Sequence, residues 1–205
     1  MIAKKRIGSV LGILLSGAIV WGCGGDASGL ILFVDAEFDP ATPSDYNVGI
    51  SEMTPGVAQT FTVLEDGRFD SFSIILTDGE SPDDGVVEIT VRPVVGGLPD
   101  PDPASSIIDV INLDTASLPP TLVEEFTTFD VSDETGRDVL MGEQYAIVME
   151  FVSRTGVDTA PIARVLGQAG DPYPDGNAAD DMGAGYVVAN NDYIFRTFNL
   201  RLSSN

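Results

Sequence analysis

The sequence predicts an all-β protein, an antiparallel two-sheet β-sandwich that is jelly-roll-like and forms a single domain after a signal peptide. Three observations support this prediction. Apolar and polar residues alternate with a period of two, which is typical of strands with one buried face. The 22 glycines and 13 prolines interrupt the chain at short intervals. Helix signals are poor, and many short strands with such turns are typical of a sandwich or jelly roll.

Eight segments are predicted as strands. In the second of them, Phe61 and Val63 alternate with threonines, and the later segments repeat this alternation. The predicted strands are 30–34, 60–63, 71–76, 87–92, 127–131, 145–151, 162–166 and 197–202. Asp66-Gly67 predicts a β-hairpin between the second and third strands, because this pair tolerates the positive φ of a tight turn. The best helix candidate is 117–125, and its two prolines limit it to a short turn.

The first 22 residues predict a secretory signal. Lys4, Lys5 and Arg6 form its basic start, and residues 7–20 form an apolar segment. This segment is shorter than the roughly 20 residues that a spanning helix needs. Small Gly22 then precedes Cys23, the only cysteine. The tetrad Val-Trp-Gly-Cys at 20–23 resembles the lipobox of bacterial lipoproteins. The resemblance implies that Cys23 becomes the first mature residue and carries acyl chains, each methylene contributing about 0.8 kcal/mol of membrane binding.

The expected organisation is a signal peptide at 1–22, a short flexible tether at 23–29 and a β-sandwich domain at 30–205. It predicts an exported protein, anchored to the cell envelope through acyl chains on Cys23 and located at the outer membrane or cell surface. Two alternatives stay open for Cys23: a stray thiol after an ordinary cleaved signal, or a buried cysteine in an uncleaved chain. One cysteine allows no disulfide within one chain, so the core has to provide the stability.

Composition excludes several classes of function. The chain has no histidine, which excludes a Ser-His-Asp triad, a Cys-His pair and His-ligated zinc or haem. After residue 22 it has seven arginines, no lysine and 32 acidic residues, a formal charge of −25. Without lysine there is no Schiff base and no phosphate loop built on Gly-Lys-Ser/Thr. Such an acidic surface repels phosphate backbones, so no nucleic-acid partner is expected.

The order of the strand motifs resembles a family of secreted bacterial β-sandwich domains, common in surface-anchored proteins and including the choice-of-anchor type. The resemblance spans about residues 50 to 200. Its motifs are QTFTV at 59–63, DG at 66–67, FSIIL at 72–76, VEI at 87–89, GLP at 97–99, LP at 118–119, FTTFDV at 126–131, GEQYAIV at 142–148, DPYPDGNA at 171–178 and IFRTF at 194–198. It implies a jelly-roll-like sandwich with no established enzymatic activity, similar in architecture to carbohydrate-binding modules.

The densest polar segment, 171–185, is the candidate metal site. Its oxygen-bearing side chains are Asp171, Asp175, Asn177, Asp180 and Asp181. Calcium takes six to eight oxygen ligands in flexible geometry, so a glycine-rich acidic loop is a suitable source. The alternative is a solvated acidic loop, which a chain this acidic favours. A second acidic loop, 78–85, has the ordinary composition of a turn.

Three tyrosines are candidates for a sugar-binding surface. Tyr173 and Tyr186 flank the acidic segment, and Tyr46 lies in an early loop. An exposed aromatic ring can stack on a sugar, although the chain after residue 22 lacks tryptophan, which has the largest stacking face. A carbohydrate-binding module is therefore the first alternative function, with an extracellular glycan as its partner.

A hydrolase with acidic catalytic residues is the second alternative, because paired carboxylates catalyse glycoside hydrolysis. Asp114-Thr115-Ala116 and Asp158-Thr159-Ala160 resemble the Asp-Thr-Gly signature of aspartic proteases, with alanine in place of glycine. Asp114 and Asp158 are better explained as turn residues. The leading hypothesis is a non-enzymatic, lipid-anchored surface module with a structural or adhesive role, a glycan or protein partner and calcium as a candidate stabilising ion.

Overall fold

Two antiparallel β-sheets form a sandwich, which confirms the predicted fold class. The computed structural model describes residues 30–40, 46–79, 81–120, 125–131, 137–170 and 172–202, so the predicted signal, the tether and Cys23 lie outside the described residues. The strands are β1 (Leu30–Phe38), β2 (Tyr46–Ile50), β3 (Gly56–Thr62), β4 (Gly67–Asp78), β5 (Gly85–Val95), β6 (Leu98–Pro99), β7 (Ile111–Asp114), β8 (Phe126–Asp130), β9 (Asp138–Val139), β10 (Gln144–Arg154), β11 (Ala163–Ala169), β12 (Ala178–Asp181), β13 (Tyr186–Val188), β14 (Asn191–Tyr193) and β15 (Phe195–Leu202).

The chain crosses between the two sheets several times. Sheet 1 has the order β1-β15-β4-β11-β14, with β2 beside β11 and with β8 and β9 beside β4. Sheet 2 has the order β13-β12-β3-β10-β5-β6, with β7 beside β5. The chain therefore crosses from sheet 2 to sheet 1 between β3 and β4, and it returns between β4 and β5. Repeated crossings of this kind give the sandwich its jelly-roll-like arrangement.

The core lies between the facing sides of the sheets, and Phe61 of β3 is at its centre. The ring centroid of Phe61 lies 6.1 Å from those of Phe69 in β4 and Phe195 in β15. It lies 6.2 Å from that of Tyr145 in the neighbouring strand β10. Aromatic pairs at such separations contribute about 0.5–1.5 kcal/mol beyond the burial of their area. One ring of sheet 2 therefore joins the aromatic residues of both sheets.

The Asp66-Gly67 turn does not close a hairpin, so this prediction was wrong. β3 lies in sheet 2 and β4 in sheet 1, and the turn carries the chain from one sheet to the other. The Oδ1 of Asp66 accepts the backbone N–H of Met141 at 2.7 Å. A Cβ on Gly67 would lie 3.0 Å from the carbonyl oxygen of Leu200. Gly67 is not among the glycines with positive φ. The close approach of β15, and not the backbone conformation, therefore favours glycine at this position.

One 3-10 turn, Thr115–Ser117, lies at the start of the candidate helix at 117–125. The Oδ1 of Asp114 accepts the N–H of Ala116 at 3.1 Å and so caps the turn. Leu118 returns to extended backbone, and residues 121–124 lie outside the described residues. Within the described ranges, no helix is long and apolar enough to cross a membrane.

Phe61→Ala is expected to lower the free energy of unfolding by about 3–5 kcal/mol, because it leaves a cavity between the sheets. Urea-induced unfolding of the variant and the wild type measures this difference. Val157→Ala is the control, because that side chain is 98% exposed and surface truncations usually stay within about 0.5 kcal/mol. Equal effects of the two substitutions would contradict the central position of Phe61.

Candidate functional site

The acidic segment 171–185 contains strand β12 as well as loops. Asp171 lies outside the described residues, Asp175 and Asn177 precede β12, and Asp180 and Asp181 belong to β12. Two threonine side chains of β3 bind the backbone of this loop. The N–H of Asn177 donates to Thr60 Oγ1 at 2.7 Å, and the Thr62 hydroxyl donates to the carbonyl oxygen of Asp175 at 2.8 Å.

Asp180 and Asp181 have different structural tasks. Successive strand residues point to opposite faces of a sheet, so the two carboxylates diverge. The hydroxyl of Tyr193 donates to Asp180 Oδ1. Burial raises the pKa of Asp180 above its usual value, and the hydrogen bond from Tyr193 acts in the opposite direction. The Oδ1 of Asp181 accepts the N–H groups of Gly183 and Gly185 at 2.7 and 2.9 Å, which shapes the turn into β13.

No group of three or more Asp, Glu, Cys or His side chains that could hold a metal ion occurs among the described residues. Asp171 lies outside the described residues, so this statement does not cover it. Calcium binding by Asp171, Asp175, Asn177, Asp180 and Asp181 therefore stays a prediction.

The second acidic loop, 78–85, is joined to a neighbouring turn. The Oδ2 of Asp83 accepts the N–H of Asp158 at 2.9 Å. The Oδ1 of Asp158 in turn accepts the N–H of Ala160 at 3.1 Å. Asp114 caps its own 3-10 turn in the same manner. Asp158 lies in a loop, as predicted, and Asp114 is the last residue of β7 and caps the turn that follows it.

Tyr173 lies in the core, and the expectation of an exposed ring was wrong. Its residue surface is 6% exposed, and its ring meets Phe195 edge-to-face with the centroids 5.1 Å apart. Burial raises the pKa of Tyr173 to about 12. This burial could not be predicted from the sequence, because a tyrosine between two prolines in an acidic loop has the composition of an exposed turn. The ring fills the space beside Phe38 of β1, a contact between residues far apart in the chain.

Tyr186 is half-buried on the outer face of sheet 2. Four residues form one row across the strands β13, β12, β3 and β10. In order they are Tyr186, Asp181, Gly56 and Glu150. The Tyr186 hydroxyl reaches across this row and donates to Glu150 Oε1 at 3.0 Å. A Cβ on Gly56 would overlap that hydroxyl, so glycine at 56 is what lets the ring lie across the sheet. Burial, followed by the negative charge of Glu150, raises the pKa of Tyr186.

Arg92 of β5 is a buried charged residue on the outer face of sheet 2. Its side chain is 1% exposed. Both terminal nitrogens bind the two oxygens of Glu150, with Nη1 at 3.2 Å from Oε1. Its Nε donates to the Thr90 hydroxyl at 2.8 Å. The guanidinium is thus held by a bidentate ion pair and one hydroxyl, and Tyr186 completes the group at Glu150.

This group lies within a second apolar layer on the outer face of sheet 2. Ala58, Ala146 and Val148 are fully buried there, with Val94 and Tyr186 packed against them. β13 and β6 lie at opposite ends of the strand order and yet contact each other. The sheet therefore curls until its two edges meet, and the outer face becomes a closed layer. The sequence signal was present, because β3 and β10 carry small apolar residues at outward positions.

A polar network holds β14 to β3, and so links the two sheets. The Nε2 of Gln59 donates to Asp192 Oδ1 at 3.2 Å, and its Oε1 accepts the N–H of Tyr193 at 2.7 Å. The Oδ2 of Asp192 accepts the N–H of Tyr173 at 2.9 Å. Asp35 of β1 has a similar role, because its Oδ1 accepts the N–H of Leu64 at 3.1 Å. These buried polar groups support backbone and packing.

No protein-family model matches the chain, and no curated protein matches it. The contacts of the described residues and the N-terminal sequence are therefore the basis of the functional inference. The arrangement buries Tyr173, half-buries Tyr186 and uses Asp180, Asp181, Asp83 and Asp158 to fix turns and strands.

Glu150→Ala is expected to lower the free energy of unfolding by about 3 kcal/mol, because it leaves the Arg92 charge buried without its partner. Arg92→Met combined with Glu150→Leu is expected to cost less than Glu150→Ala alone. Urea unfolding measures both. Glu88→Ala is the control, since Glu88 lies opposite Glu150 on the neighbouring strand and its removal eases a like-charge contact. A double variant less stable than Glu150→Ala would contradict the ion-pair account.

Asp35→Asn is expected to gain stability relative to the wild type as the pH rises from about 4 to 7. Burial raises the pKa of Asp35 above 3.8, although hydrogen bonds from Glu65 and Leu64 oppose the shift. A raised folded pKa gives stability that is full below the unfolded pKa and is lost as the pH rises through the folded one. Urea unfolding across this pH range measures the difference, with exposed Asp109→Asn as the control. A difference that stays constant with pH would contradict the effect of burial.

Proposed function

We propose that this protein is a non-enzymatic β-sandwich module, anchored by acyl chains on Cys23 to the cell envelope at the outer membrane or cell surface. The observation that carries the proposal is the position of Cys23. The only cysteine ends the only segment with a basic start and an apolar continuation, and it stands seven residues before Leu30, where β1 begins. Several acyl chains on one residue give durable membrane binding.

The use of the buried polar groups supports a structural or partner-binding role. Gln59 and Asp192 connect β3 with β14, Arg92 and Glu150 support the outer layer of sheet 2, and Asp35 binds two backbone N–H groups. Each group is committed to holding the sandwich. The carbohydrate-binding alternative loses the ring of Tyr173 as an exposed stacking surface, and the partner proposed for the module is an extracellular protein or a surface polymer.

The acyl anchor is tested by mass spectrometry of the protein isolated from its native membrane. The expected mature chain begins at Cys23 and carries diacylglyceryl and N-acyl mass. Cys23→Ser is expected to move the protein from the membrane fraction to the soluble fraction, because the acylated thiol is lost. Ser28→Ala, a change within the tether, is the control and should stay with the membrane. An unmodified Cys23, or cleavage at another residue, would contradict the proposal.

A further inference from the structure

Four large apolar side chains are exposed at the end of the sandwich where the tether enters. Leu30 and Leu32 open β1, and Leu140 and Met141 form the turn between β9 and β10. Their exposed fractions lie between 49% and 70%. These four residues are named the tether-end patch. A chain this acidic gains nothing in solubility from such a group, and exposed apolar clusters mark interaction surfaces.

The turn that carries Leu140 and Met141 is rigid. The N–H of Leu140 donates to Glu143 Oε2 at 2.9 Å, and the N–H of Met141 donates to Asp66 Oδ1 at 2.7 Å. The N–H of Gly142, whose φ is +87°, donates to the carbonyl oxygen of Val63 at 2.8 Å. The backbone donors of the turn are therefore bound within the protein, while its two apolar side chains stay outside.

Two of the four patch residues, Leu30 of β1 and Leu140 of the turn, line one depression at the edge of sheet 1. Leu32 pairs with Leu200, which pairs with Arg68, so these side chains lie in one row across the sheet. Leu30, Leu140, Leu200, Arg68 and Arg201 line an open depression of about 710 Å³ together with Asp66, Gly67, Asp138 and Val139. Apolar side chains beside two guanidinium groups match the boundary between acyl chains and phosphate headgroups.

We propose that the tether-end patch docks onto the lipid bilayer that holds the acyl chains of Cys23. This inference rests on the proposed acyl anchor. Leu30 lies seven positions after Cys23, and these seven steps span at most about 25 Å when the chain is fully extended. β4 begins at this end of the sandwich and is 12 residues long. Its other end therefore lies roughly 35 Å farther from the tether. The end of the sandwich that the anchor holds near the membrane is thus the end that carries the apolar side chains.

Charge favours a bilayer over a second copy of the chain as the occupant. Two domains of formal charge −25 repel each other, whereas a zwitterionic bilayer surface does not repel them. Two of the acids beside the patch have partners within the protein, because Glu65 pairs with Arg201 and Asp66 binds the N–H of Met141. The guanidinium of Arg201 also covers the ring of Phe33, 4.9 Å from its centroid. The patch therefore presents apolar surface beside Arg68, while Arg201 is held by Glu65 and by the ring of Phe33.

The test places a bimane label on full-length acylated protein in vesicles of phosphatidylcholine. Met141→Cys gives the labelled position, and Met53→Cys, on an exposed turn before β3, gives the matched control. Acylation blocks the thiol of Cys23, so the label reacts only with the introduced cysteine. If the mass spectrum shows a free thiol at Cys23, both labelled variants also carry Cys23→Ser. Brominated phosphatidylcholine is expected to quench the label at 141 about twofold, since docked side chains enter the headgroup boundary by roughly 5–10 Å. The label at 53 is expected to keep its intensity.

Equal intensities at 141 in brominated and ordinary vesicles overturn the docking proposal, and an acylated Cys23 in the same sample leaves the anchor itself intact. Quenching at 141 on an unacylated chain shows lipid contact without an anchor, and it overturns both the anchor and the proposal that the anchor directs docking. Quenching at both positions means that the domain has no preferred orientation and overturns the proposal. A label at 141 that is shielded without vesicles, in a dimer seen by sedimentation, assigns the patch to a second copy and also overturns it.

Discussion

The fold depends on apolar packing between two sheets that must overcome the repulsion of a strongly acidic chain. One cysteine leaves no disulfide within the chain, and the formal charge after residue 22 is −25. Phe61 is at the centre of this packing, because its ring contacts aromatic rings in β4, β10 and β15. Asp192 and Asp35 add hydrogen bonds at the margins of the same core, where buried polar groups need partners.

Sheet 2 differs from an ordinary sandwich sheet, since the centre of its outer face is buried as well as its inner face. The contact between β13 and β6 closes the outer face over Ala58, Ala146 and Val148. The closure has to accommodate the charge of Arg92, and Glu150 neutralises it inside the layer. Because the outer face of sheet 2 is closed, the exposed apolar surface at the tether end of sheet 1 becomes the stronger candidate for interaction.

The strands and their inner faces could be predicted from the sequence, because the period of two in segments such as 145–151 follows directly from strand geometry. The burial of Arg92 could not, since its partner Glu150 is 58 residues away. The same limit explains Tyr173, whose neighbours Phe38 and Phe195 come from β1 and β15. Asp66-Gly67 led to a wrong hairpin prediction, because the residues typical of a hairpin turn also suit a tight turn between strands of different sheets. β12 was missed because Asp180 and Asp181 are rare in strands.

In the proposed arrangement, the acidic sandwich lies directly against the membrane that anchors it, with the start of β1 and the turn at 140–141 facing the lipid. Neutron reflectometry of the acylated protein on a supported phosphatidylcholine bilayer measures this arrangement most directly. The account predicts protein density that begins within the headgroup layer and no water layer between headgroups and protein. A water layer of up to about 25 Å, the reach of the extended tether, would contradict it.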